Sequence, residues 1–426
     1  MDSSQSTVLV VTLGTGRDRT DIAQMVEFSF RKNRADRLWV LASPKTQEET
    51  LPCVRERLPD VAMKVHACRP GDEENVEALF VDWHQHWDRD LGEWLPARIV
   101  VDFTSGTKPM SAAAFALALA HGADAISYVS GEKDESGRTR QSTRLYAFRP
   151  DRVFAHRRIV LAAEHFNAGS YAAARDTVAG LLKKEQLPDE HLRAQARGIH
   201  LVAAAYEAWD RFDWKEAASH FHQVAKEWRT WTWADSPAQL AANYEHVRKV
   251  QSEKNDYGAA LAADLLSNAE RCMARQDWDD AVARLYRATE MVAQRQLLQR
   301  HGVQNTSDVD PAKLPERMRA GYEKRQQESR NGKLRLGLAE AYGLLKELND
   351  PVGKTFCDAY GPKGQGDLGN ALRGRNQSLL AHGAAPIREP TAKALLGHVQ
   401  SLAREVYGDE LAACLNRTCS VQLRVC

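Results

Sequence analysis

Over the first third of the chain, short apolar runs alternate with longer stretches of helical periodicity. The runs TVLVVTL, RLWVLAS, MKVHAC, ARIVVDF, AISYVS and RLYAF fall between residues 7 and 149, and their alternation with helical stretches is the pattern of a parallel α/β sheet. Beyond Asp151 this pattern stops. The next hundred residues read as amphipathic helix with a loose repeat: NAGSYAAARDTVAGLL, DRFDWKEAASHFHQVAKEW and, further on, ARQDWDDAVARLYRATEMV. Each carries an aromatic (Tyr171, Trp214, Trp278) and an alanine three residues later (Ala174, Ala217, Ala281), as in the second helix of a helical hairpin packed on its partner. The rest is helical, broken by GVQNTSDVDPAKLPE and by the glycine-rich YGPKGQGDLGN. The expected architecture is an α/β domain with a Rossmann-like parallel sheet (residues 1–150), an all-α connector of repeat-like hairpins (151–255) and an all-α C-terminal domain (256–426).

Composition narrows the functional classes. A chain of 426 residues exceeds one ordinary core. With Lys+Arg 58 against Asp+Glu 57, the formal net charge is +1, so contact with nucleic acid must be local rather than spread over a basic surface. A helix-turn-helix with a basic recognition helix is not recognisable, which argues against a DNA partner. No run approaches 18 apolar residues, and MDSSQSTVLVV lacks the features of a signal peptide; the expectation is a soluble, cytoplasmic protein with no membrane partner. The seven cysteines (Cys53, Cys68, Cys272, Cys357, Cys414, Cys419, Cys426) show no metal spacing and read as reduced thiols. In DWHQHWDRD, His84 and His86 point about 200° apart on a helix, so with Asp88 they make no metal cluster. No metal site and no cofactor are expected. RQQESRNGKLR reads as a solvated charged loop.

The turn TSGTK, between the strand ARIVVDF and the helix beginning near Pro109, offers the richest chemistry. In an open parallel sheet it sits at the mouth of the ligand crevice. Gly106 permits close backbone approach, Thr104, Ser105 and Thr107 carry hydroxyls, Lys108 a charge, and the following helix an N-terminal dipole, a set that suits an anion. The first strand closes similarly in LGTGRD, with Gly14, Thr15 and Gly16. Arg19 replaces the third glycine of a GxGxxG fingerprint and no GxxxxGK[ST] exists, so neither a Rossmann dinucleotide site nor a P-loop is supported.

The string DFTSGTKPMS, with LGTG closing the first strand and LASPKTQEE the second, resembles the nucleotide-sensing CARF domain of CRISPR-associated proteins. The resemblance implies a dimeric domain whose crevice binds a cyclic oligoadenylate. It points to Gly14, Thr15 and Gly16 on the first loop, Ser43 on the second, and Thr104, Ser105, Gly106, Thr107 and Lys108 on the main turn.

DLGNALRGRNQSLLAHG reads as a helix capped by Asp367 and stopped by Gly383, with Arg375 and His382 seven residues apart on one face, roughly 10 Å along the axis. RNQSLLAH matches the R-x(4–6)-H signature of HEPN ribonucleases at its longest spacing, and the two modules together resemble the CARF-HEPN ribonucleases of type III CRISPR systems. RNA carries its own nucleophile in the 2′-hydroxyl, so cleavage needs proton management and stabilisation of a crowded phosphate. His382 supplies the first and Arg375 the second, without a metal. Asn376, the usual polar residue of the motif, orients substrate or histidine. One helix sets Arg375 and His382 too far apart to share a phosphate ideally; two copies about a two-fold put four groups around one groove. The expectation is a homodimeric endoribonuclease acting on single-stranded RNA, allosterically activated by a cyclic oligoadenylate in antiviral defence. Two alternatives stay open: a cyclic-oligoadenylate-binding protein or ring nuclease with an inert helical region, and a helical-repeat scaffold.

Overall fold

The computed structural model describes residues 6–16, 18–133, 139–183, 190–253, 257–376 and 384–425. The chain divides into two compact units, Met1–His156 and Arg157–Cys426. Among the described residues no helix is long and apolar enough to cross a membrane.

The first unit runs β1 (Thr7–Thr12), α1 (Arg19–Lys32), β2 (Arg37–Ala42), α2 (Pro44–Glu49), α3 (Leu51–Arg57), β3 (Ala62–Ala67), α4 (Val76–Leu91), β4 (Arg98–Asp102), α5 (Lys108–Ala120), β5 (Ala125–Lys133) and β6 (Thr139–Phe148). Its sheet has the order β3-β2-β1-β4-β5-β6. The period-2 alternation of the strands divides their side chains between two cores. Val8, Val10, Trp39, Leu41, Ile99 and Val101 pack on α4 and α5, whereas Leu9, Val11, Leu38, Val40 and Val100 pack on α1 and α3. Burial on both faces explains why the strands read as continuous apolar runs. The first five strands are parallel; β6 is antiparallel to β5, which makes the sheet mixed rather than wholly parallel. The reason is the short connection from residue 133 to 139, which has no room for the crossover that a parallel neighbour needs.

Strand order reverses between β1 and β4: β2 and β3 lie to one side of β1, β4 to β6 to the other. Such a switch point opens a crevice beyond the carboxyl ends of the two strands.

The second unit is helical: α6 (Pro150–Asn167, which begins in the first unit), α7 (Tyr171–Lys183), α8 (Glu190–Asp210), α9 (Trp214–Val224), α10 (Pro237–Glu253), α11 (Ala259–Ala274), α12 (Trp278–His301), α13 (Glu316–Glu328), α14 (Leu338–Glu347), α15 (Pro351–Tyr360), α16 (Asp367–Asn376), α17 (Glu389–Tyr407) and α18 (Asp409–Asn416). The loose repeat is a repeated local geometry. Tyr171, Trp214 and Trp278 each open a helix, and the alanine three residues on is fully buried in each. Two residues before each aromatic the backbone is left-handed, at Gly169, Phe212 and Gln276. The next N–H bonds back five residues, Ser170 to His165, Asp213 to Ala208 and Asp277 to Cys272, which closes the preceding helix in the same way three times.

Two polar devices tie these helices together. The fully buried Asp264 of α11 accepts from the indole N–H groups of Trp209 (2.6 Å) and Trp214 (2.7 Å) and faces His246 Nε2 at 3.4 Å, which joins α8, α9 and α10. The segment after α18 runs back over α6, α8 and α10. Asn167 exchanges two bonds with the backbone of Leu423 (2.8 and 2.9 Å), Asn243 donates to the carbonyls of Arg417 (2.6 Å) and Cys419 (3.0 Å), and Val421 N–H donates to the Tyr206 hydroxyl.

Candidate functional site

In the first unit, the loops after β1 and β4 meet at the switch point. A Cβ on Gly14 would lie 2.6 Å from the backbone nitrogen of Gly106, so the two loops touch backbone to backbone. Gly106 itself has φ of +110°, a conformation that excludes other residues without strain. Thr12 and Ser105 staple the loops reciprocally, each hydroxyl donating to the other's carbonyl. Beneath the turn lies Asp102, fully buried, which accepts from Ser29 Oγ (2.6 Å), Ser127 Oγ (2.8 Å), and both the N–H (2.9 Å) and the hydroxyl of Thr104. Burial pushes its carboxyl upward, and those bonds pull it back.

This wiring decides what is left for a ligand. The Thr104 hydroxyl donates to Asp102 and accepts from Val129 N–H (2.7 Å), and Ser105 is buried in its staple. Thr107 caps α5 by accepting from Met110 N–H (3.2 Å) and donates to the carbonyl of Glu73 (2.7 Å). Ser43 is committed likewise, in a capping box with Thr46 at the start of α2. These hydroxyls build the turns. Among the described residues, the backbone N–H groups of Thr15, Gly16, Gly106 and Lys108 have no acceptor, and Lys108 stands exposed at the first position of α5. An anion here meets backbone donors, a helix N-terminus and one ammonium. Asp102, the residue that holds the turn, opens the string DFTSGTKPMS, but its part as the buried acceptor beneath the turn has no sign in the sequence.

In the second unit, Arg375 sits in the last turn of α16. Asp367 opens this helix from within its first turn, and the capping position before it is Gly366. Glycines let α16 lie directly on the end of α15: a Cβ on Gly366 or Gly369 would strike the backbone of Ala359, Tyr360 or Gly364. Arg373 Nη2 bonds the Gly364 carbonyl at 2.6 Å and fixes the turn. The half-buried Arg375 guanidinium lies over the ring of Tyr286 on α12, 4.4 Å from its centroid, and donates to Asn376 Oδ1 at 3.2 Å. Among the described residues no carboxylate pairs with it. Burial, with Glu290 nearby, raises the Tyr286 hydroxyl, and Arg375 opposes that rise. Tyr286 had no sequence signal, since an aromatic in an amphipathic helix reads as core. His382 and Gly383 lie outside the described residues.

The two histidines of DWHQHWDRD serve different partners: His84 Nδ1 meets His121 Nε2 at 2.9 Å, and His86 turns to Asp82.

Two family models match the chain, one described as the Csm6 HEPN domain over residues 249–405 and one as the Csm6 6H domain over residues 154–252. The chain belongs to the Csm6 family of type III CRISPR ancillary nucleases. Arg375 and Asn376 fall inside the Csm6 HEPN match, and the repeat-like hairpins begin inside the Csm6 6H match. The fold is also that of a solved Csm6 from Enterococcus italicus, bound in its structure to cyclic hexa-2′-fluoro-hexa-dAMP. The two chains are 10% identical, the alignment covers 95% of each, and the TM-score is 0.58. The comparison with curated proteins gives no match.

Proposed function

We propose that this protein is a homodimeric endoribonuclease of CRISPR defence, silent until a cyclic oligoadenylate occupies the switch-point crevice of its first unit, and that it cuts single-stranded RNA without a metal. The observation that carries this reading is Arg375: a half-buried guanidinium, held over the Tyr286 ring and without a carboxylate partner among the described residues, at the start of the R-x(6)-H string inside the Csm6 HEPN match. Arginine that is oriented but not neutralised is ready to take two phosphate oxygens in its planar fork.

In this mechanism the substrate 2′-hydroxyl attacks the adjacent phosphorus, and the 5′-oxygen of the next nucleotide leaves. Arg375 and its copy on the second chain stabilise the charge that builds on the phosphate oxygens; one copy of His382 takes the proton of the attacking 2′-hydroxyl, and the other gives a proton to the leaving oxygen. Asn376, bonded to Arg375, keeps the guanidinium in register. In the crevice, the N–H groups of Gly106, Thr15 and Gly16 with Lys108 receive messenger phosphates. The messenger activates by binding one of two dimer states more tightly than the other.

The test is incubation of labelled single-stranded RNA with purified protein, with and without cyclic oligoadenylates of each ring size, and in EDTA. Activator-dependent products with 2′,3′-cyclic phosphate or 3′-phosphate ends are expected, and Arg375→Ala and His382→Ala should each abolish them while messenger binding persists. Retained cleavage in His382→Ala, or cleavage of an RNA with 2′-deoxyribose at the cut site, would return the helices to a scaffold role.

A further inference from the structure

Away from both sites, β3 and α4 bring together three side chains that lie far apart in the sequence. His66 comes from the end of β3 and is buried; Asp82 and His86 stand one turn apart on the same face of α4, each half-buried. Each offers one ligand atom, and the three atoms lie within 4.8 Å of one another. We propose that His66, Asp82 and His86 form a binding site for a divalent transition-metal ion of the zinc class.

The donor set argues for that class. Two imidazole nitrogens and one carboxylate oxygen suit zinc and its neighbours, whereas magnesium and calcium take oxygen alone. Three protein ligands at a partly open surface leave a fourth position for water. The surrounding groups are those that metal-bound histidines use. His66 Nε2 faces Asp82 Oδ2 at 2.6 Å, and its other ring nitrogen, Nδ1, faces Asp90 Oδ2 at 3.5 Å, a carboxylate on the far side of the ring that orients it. Asp90 is held in turn by Arg89 Nε at 2.8 Å, and Arg89 Nη2 stands 3.4 Å from His66 Nδ1. His86 Nδ1 lies 3.3 Å from Asp82 Oδ1 and 2.7 Å from the Asp82 backbone carbonyl, and its ring packs against His66 with centroids 4.5 Å apart. A cation here replaces the proton between His66 and Asp82, and the pair opens from 2.6 Å to about 3.3 Å, since zinc stands about 2.0–2.2 Å from each ligand in a tetrahedral site.

The site joins the edge strand to the helix that covers it. The segment between them carries Glu73, whose carbonyl receives the Thr107 hydroxyl, so a bound ion braces one wall of the switch-point turn.

Untagged full-length protein, dialysed against EDTA and then titrated with Co²⁺, tests the proposal. One Co²⁺ per chain with visible absorption bands is expected, displaced by one equivalent of Zn²⁺, and Zn²⁺ should raise the melting temperature. His86→Ala and Asp82→Asn, at half-buried positions, should weaken Co²⁺ at least about tenfold, the loss that even an outer-sphere partner can produce, with unchanged circular dichroism. His84→Ala, on another face of the same helix, should bind as the wild type does. Folded protein that takes up no Co²⁺ at micromolar concentration, or uptake unchanged in His86→Ala, overturns the site and leaves His66 and Asp82 a hydrogen-bonded pair.

Discussion

Replacing Gly14 by alanine places one methyl group where two loops already touch. The new Cβ would sit 2.6 Å from Gly106 N and 3.0 Å from Gly106 Cα, against an ordinary contact of 3.4 Å or more, so the loops must part by about 0.8 Å. Neither side can yield by a rotamer change, since the obstacle is backbone. The displacement loads the reciprocal Thr12–Ser105 hydrogen bonds, each contributing about 1 kcal/mol. With overpacking costs of about 1–3 kcal/mol, a total near 2 kcal/mol is expected, which for a unit of this size lowers its melting temperature by about 4–8 °C. The same shift moves the N–H groups of Thr15 and Gly16 away from those of Gly106 and Lys108, and messenger affinity should fall at least about tenfold, the equivalent of 1.4 kcal/mol. Calorimetry with a cyclic oligoadenylate and a thermal melt measure both. Gly92→Ala is the control: it lies in the same unit, with nothing within 4 Å of its Cβ, and should change neither. Wild-type melting and wild-type affinity in Gly14→Ala would refute the claim that close apposition of these loops builds the crevice.

Lys108→Ala should weaken messenger binding by about 10- to 100-fold, the loss of one charge-assisted bond of about 1.5–3 kcal/mol, with no change in melting; unchanged affinity by calorimetry would place the ligand elsewhere. Tyr286→Leu should lower RNA cleavage while messenger binding stays intact, because it removes the ring that holds Arg375, and Tyr286→Phe should keep most of the activity since the ring face remains. Asp264→Ala leaves two indole N–H groups without an acceptor and should cost about 3 kcal/mol or more, read as a lower urea midpoint, with Asp264→Asn milder. Burial, then His84, holds the His121 imidazole below its usual range. Its folded value lies below the unfolded one, so the stability it contributes is present above about pH 6.5 and lost as pH falls through the folded value. Thermal melts between pH 7.5 and 5 should show this loss, smaller in His84→Ala.

How much was legible in the sequence follows from how far each signal extends along the chain. Strands buried on both faces are local apolar runs, and a turn between a strand and a helix is a local motif, so β1 to β5 and the loops at the switch point could be read directly. The direction of β6 could not, because an antiparallel strand has the same side-chain period as a parallel one. The aromatic-alanine spacing marked the hairpins without revealing the left-handed residue and the i to i−5 bond that make them alike. The turn around Gly106 was legible in its residue types, but those types do two jobs: the hydroxyls of Thr104, Ser105 and Thr107 are spent on Asp102, Thr12, Glu73 and the helix cap. His66, Asp82 and His86 span 21 positions, from β3 to α4, and no spacing rule covers such a set.

The strap of residues 417–423 has a consequence for how the protein is made. Asn167 finds its partner in Leu423, 256 positions later, and Asn243 and Tyr206 wait for Arg417, Cys419 and Val421. At about 5–20 residues per second, a ribosome needs about 13–50 s to supply the missing segment after Asn167 has emerged. Through that interval these polar groups have only water or one another for company. The helices of the second unit therefore reach their finished packing only after residues 417–423 have been made.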